Sequence, residues 1–141
     1  MKRVWYWSLF AAESAGMFFI LSEALPFYRT LIRGSAGDRP GRYLYVPAAS
    51  AVVIMQLCYW IKRKTRPPIW QRRRIFLGHI LLFFARLSFI FAGSLLSLVI
   101  FTRSEDTQFS VVGIALLLAT TFAQFCYARE LEILSQLLEG R

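Results

Sequence analysis

Four long apolar blocks separated by short polar segments make up most of this chain. The first runs from about Val4 to Leu25 and stops at Pro26, the second from Leu44 to Ile61. The third covers Ile75 to Phe101 and the fourth Phe109 to Ala128. Apolar residues within each block are continuous, without the alternation of a half-wet strand or the single stripe of a soluble helix. Roughly 20 residues of α-helix cross a 30 Å hydrocarbon core, and each block is near or above that length. The pattern predicts an all-α integral membrane bundle of four transmembrane helices, with residues 1–141 forming a single transmembrane domain. Beyond Ala128 the pattern becomes amphipathic. Leu131, Leu134, Leu137 and Leu138 recur at helical spacing, with Glu130, Glu132, Ser135, Gln136 and Glu139 between them. This predicts a short cytoplasmic helical extension, too short for a stable coiled coil of its own, that rests on the basic link of its own chain or, as the favoured reading, offers its leucines to a partner protein.

Composition supports the membrane class. With 57% apolar residues and 16% aromatic ones, a chain of this size lacks the polar material to cover a soluble domain. Met1, Lys2 and Arg3 before an apolar run resemble the start of a signal peptide. Glu13 interrupts that run and no small-x-small cleavage site follows, so the first block reads as a retained span.

The formal net charge of +9 lies mainly in the links, where it sets orientation and offers no surface for nucleic acid. Lys62, Arg63, Lys64, Arg66, Arg72, Arg73 and Arg74 crowd the link between the second and third blocks. Together with Lys2, Arg3, Arg129 and Arg141 they place eleven basic residues on one side. Arg29, Arg33, Arg39, Arg42 and Arg103 place five on the other. Both termini are therefore expected in the cytoplasm, in a cell inner membrane, with the seven link residues touching anionic lipid. Trp5, Tyr6 and Trp7, then Phe27 and Tyr28, Tyr43 and Tyr45, and Tyr59 and Trp60 mark the span ends as aromatic belts.

Two charges stand deep inside the apolar blocks, whereas Glu23 sits at the outer edge of the first. Glu13 lies roughly 13 Å and Arg86 roughly 16 Å from the cytoplasmic ends of their spans at 1.5 Å per residue. An unpaired charge at the bilayer centre costs at least ~2.5–3.5 kcal/mol on insertion scales. The expectation is an intramembrane ion pair, Glu13 with Arg86, which fixes the packing of the first and third spans or serves a partner subunit.

Nearer the cytoplasm, Gln56, His79 and Gln124 fall at similar depths, and an inter-helix polar layer is expected of them. His79 is the only histidine, so a single chain cannot ligate haem through two of them. Cys58 and Cys126 match no metal or redox spacing and read as small apolar filler. No cofactor and no metal is expected. Small residues at four-residue spacing, Ala12 and Gly16, Gly93 and Ser97, and Ala115, Ala119 and Ala123, predict close helix approach.

No phosphate-binding loop, dinucleotide fingerprint, zinc pair or nucleophile elbow appears, so the chain does not read as an enzyme. The expected function is a non-catalytic accessory or scaffold subunit of a larger inner-membrane complex, with other membrane subunits and anionic lipids as partners. The alternative is a small homo-oligomeric transporter or channel built on Glu13. In length, span number and a carboxylate midway along the first span, within Phe10-Ala11-Ala12-Glu13-Ser14-Ala15-Gly16, the chain resembles the small multidrug resistance family. The third span departs from that family in lacking glycine-rich character and in carrying Arg86, and the links are far more basic.

Overall fold

The computed structural model describes residues 2–32, 45–64, 74–101 and 111–140. Among them every regular element is an α-helix: α1 (Lys2–Ile32), α2 (Tyr45–Lys64), α3 (Ile75–Phe101) and α4 (Val111–Glu139). All four are long and apolar enough to cross a membrane, with candidate spans Val4–Leu25, Tyr45–Lys64, Ile75–Ser97 and Val111–Glu139. The helices run somewhat further than the apolar blocks. α1 continues through Pro26, whose missing N–H removes the bond to the Ser22 carbonyl without ending the helix. Pro47 falls in the first turn of α2, where an N–H would have no helical partner and its absence costs no bond. α4 is one unbroken helix that absorbs the amphipathic tail and ends at Gly140, whose φ of 75° suits the left-handed residue after a helix.

α1 packs on α2 and α3 packs on α4. The two pairs meet where α4 lies against α2 and, more lightly, against α1, which leaves α3 on the outside of the bundle. The central core is Met17 and Ile20 of α1, Ala51, Val52 and Met55 of α2 and Ala123 of α4, with Phe19, Leu21, Ala119 and Tyr127 around it. Small residues set the closest approaches. A Cβ on Gly16 would stand 2.7 Å from Met55 Cγ, and one on Gly78 2.8 Å from Glu139 Cγ and 3.2 Å from the Ser135 carbonyl. Gly93, by contrast, faces open space, so the Gly93 and Ser97 pair marks no helix contact.

The α3–α4 pair is antiparallel and close along its length. The Arg74 amide donates to the Leu138 carbonyl at 3.0 Å, Gly78 meets Ser135 and Glu139, and the rings of Phe89 and Phe125 lie 6.0 Å apart. This pairing corrects the expectation for the tail. Leu131, Leu134 and Leu138 are buried within the chain and Leu137 partly so, because α4 turns their face inward as it runs beside α3. They are core residues of this chain and are not offered to a partner.

Candidate functional site

One helical face on each of three helices converges on a charged centre. On α1, Tyr6, Phe10, Glu13, Met17 and Ile20 follow one another at three- and four-residue steps, so they share a stripe. Met55, Cys58 and Lys62 do the same on α2, and Ala123, Cys126 and Glu130 on α4. The inward stripe that supplies the core thus ends on α2 in an ionisable side chain, and on α4 it includes one before continuing to Leu134 and Leu138.

Lys62 holds the centre. Its ammonium donates to the Glu13 carboxylate through Oε2 and lies 3.2 Å from Glu130 Oε1. The same nitrogen sits 5.0 Å from the centroid of the Phe10 ring and 5.7 Å from that of Tyr6. Ring faces attract a cation at this range, more strongly when water is excluded. The Tyr6 hydroxyl donates to Glu130 Oε1 at 2.6 Å. Glu13 is 1% exposed, Lys62 2% and Glu130 8%, so the centre is closed to its surroundings. Beside it Ser14 and Tyr127 share a hydrogen bond of 3.0 Å, and Phe10 stacks on Tyr127 with centroids 6.1 Å apart.

This arrangement replaces two expectations. Glu13 is paired with Lys62, not with Arg86, because α1 packs on α2 and α4 while α3 stands on the far side of α4. Lys62, expected at the lipid surface with the other link residues, is buried because the stripe of α2 carries it inward. Of the remaining link residues, Arg63 is exposed with its guanidinium 5.5 Å from the Trp60 ring centroid, and Lys64 and Arg74 are exposed. Arg66, Arg72 and Arg73 lie outside the described residues.

The polar layer is likewise divided. Gln124 is buried and Gln56 half-buried, and among the described residues the amide nitrogen of each lacks a hydrogen-bond partner, as does Oε1 of Glu13. His79 is not with them. It is exposed beside the C-terminal end of α4, with Nδ1 3.0 Å from the Oε1 of Glu139, which lies fifteen residues beyond Gln124 and hence roughly 22 Å along the axis. Cys58 and Cys126 are free and buried. Among the described residues no three His, Cys, Asp or Glu side chains gather where a metal ion could be held.

Arg86 lies elsewhere. It is exposed on the outer side of α3 and lines an open groove of about 460 Å³ with Leu82, Ala85, Phe89 and Ile90 of its own helix. Phe125, Ala128, Arg129 and Glu132 of α4 form the opposite wall. Arg129 donates to Glu132 at 2.7 Å, so those two charges answer each other, whereas Arg86 makes no ion pair among the described residues.

Lys62, Glu130 and Tyr6 were not read from the sequence as parts of an internal charge centre. A signal was present: the 3–4 spacing through Met55 and Cys58 leads to Lys62, and that through Ala123 and Cys126 leads to Glu130. The two were read as link and tail because they follow the last strongly apolar residues.

Fold and site together define a polytopic α-helical membrane protein with a closed internal charge centre and, in the groove between α3 and α4, an Arg86 that makes no ion pair among the described residues. Comparison with protein-family models, curated proteins and solved structures produced no match.

Proposed function

We propose that the chain is a non-catalytic accessory subunit of a larger complex in a cell inner membrane, with both termini in the cytoplasm and anionic lipid against its basic link. The observation that carries this reading is the closure of the charge centre. A carboxylate that binds and releases a transported ion needs a water-accessible cavity, and Glu13 is 1% exposed, with Lys62 on it. Its charge is committed inside the bundle, where it ties α1 to α2 and, through Lys62 and Glu130, to α4. Burying such a cluster favours a particular packing more than it adds stability, a role that suits a scaffold. The excess of basic residues in the second link supports the cytoplasmic orientation.

The test is native mass spectrometry of the tagged protein, extracted from its own host in mild detergent. Other subunits leaving with it in fixed stoichiometry are the expected result. A chain that flies alone or only with copies of itself overturns the reading and directs attention to ion-coupled transport, with Glu13→Gln as the control.

A further inference from the structure

Arg86 stands eleven residues from either end of the candidate span Ile75–Ser97, or roughly 16 Å from each by helical rise. It is exposed in the open groove between α3 and α4 and takes no part in the centre that neutralises Glu13. Ionisable residues in spans ordinarily face a bundle interior and pair there. Arg86 faces outward, and within its groove the Arg129–Glu132 pair leaves one positive charge over.

The walls of the groove say what shape would fill it. Leu82, Phe89 and Ile90 rise on one side and Phe125 on the other, while the small residues Ala85 and Ala128 are buried at 4% and 7% exposure. Large side chains beside small ones make a trough into which another helix can settle, since small residues let backbones approach in lipid. A lipid phosphate is a poor match for the charge, because headgroups lie at the level of the span ends and Arg86 lies at the middle. A second copy of this chain is a poor match too. It would bring the same surplus positive charge to the same surface.

We propose that this groove is the docking site for a membrane-spanning helix of a partner subunit, and that the partner helix carries an Asp or Glu in the middle of its apolar stretch to pair with Arg86. The proposal rests on the accessory-subunit reading and gives it a surface and a chemistry. Arginine suits the task because its planar fork meets a carboxylate in a bidentate pair.

The experiment places the photocrosslinker p-benzoylphenylalanine at Ile90 in the full chain, expressed in its own host, and sequences the crosslinked peptide by mass spectrometry. The expected peptide comes from one other membrane protein and lies in an apolar segment holding Asp or Glu. Arg86→Ala then lowers crosslink yield at least tenfold and Arg86→Lys retains most of it. Replacing the partner carboxylate by its amide matches the effect of Arg86→Ala. Crosslinks to lipid, to a second copy or to a span without a carboxylate overturn the proposal, as does an unchanged yield with Arg86→Ala. The crosslinked peptide decides even where Arg86→Ala lowers expression. Native mass spectrometry separates the two readings. Subunits that still accompany Arg86→Ala and never crosslink at Ile90 leave the accessory reading standing and remove this groove from it. A wild-type chain that carries no partner removes both.

Discussion

Glu13 and Arg86 occupy comparable depths on their helices, and the fold treats them in opposite ways. Glu13 faces the seam of α1, α2 and α4, where Lys62 and two aromatic rings close over it. Arg86 faces outward from α3, in a groove whose other two charges are already engaged with each other. Charge within the candidate spans thus serves two ends in one small chain. Where both partners lie within the bundle, removing one leaves the other buried and uncompensated, so the loss is felt by the fold. Where no counterion stands among the described residues, removing the charge should scarcely trouble the fold.

The sharpest way to break this contrast is Lys62→Met. It leaves the Glu13 and Glu130 carboxylates facing one another without a cation, and breaking a buried pair in this way costs about 3–5 kcal/mol. Reversible unfolding in mixed micelles should show the loss, together with a steep fall in folded yield. Glu13→Gln comes next. Lys62 retains Glu130, so the cost is nearer that of one buried hydrogen bond to a charged group, about 1.5–3 kcal/mol. If Glu13→Gln proves the more damaging of the two, the centre is not organised around Lys62.

Two glycines sharpen the comparison between the two helix pairs. Gly78→Ala drives a methyl against the Ser135 carbonyl, which is helix backbone and cannot move aside, at a cost of about 1–3 kcal/mol. Gly16→Ala meets the flexible side chain of Met55 and should cost less, because methionine repacks readily. Equal effects in the same unfolding assay would mean that α3 and α4 are not as close as the structure has them. The smallest effect is expected of Arg86→Ala in the isolated chain, within about 0.5 kcal/mol, as for a surface substitution. A large loss there would mean that Arg86 has a partner inside the chain.

The four helices were legible because long apolar blocks bounded by Lys, Arg and aromatic residues have few other physical meanings. The candidate spans repeat the first block at Val4–Leu25 and begin the third at Ile75. Helix ends were less legible. Backbone helix continues through Pro26 and past Ala128 because neither a single proline nor a change to amphipathic composition ends a helix that is packed. Pairing was the least legible of all. Glu13 called for a cation, but depth alone does not distinguish Arg86 from Lys62. The answer depends on which helices touch, and among the described residues α3 joins the bundle chiefly through α4. The tail leucines show the same limit, since an apolar stripe announces that it will be covered without saying by what.

The central claim is that Glu13 belongs to Lys62 and that Arg86 stands apart from it. A double-mutant cycle tests it most directly, with unfolding free energies measured for Glu13→Gln, Lys62→Met, Arg86→Ala and the two double variants that contain Glu13→Gln. Coupling of about 1–3 kcal/mol between Glu13 and Lys62, with no more than about 0.5 kcal/mol between Glu13 and Arg86, is the predicted result. The reverse ordering would contradict the account and restore the ion pair between α1 and α3.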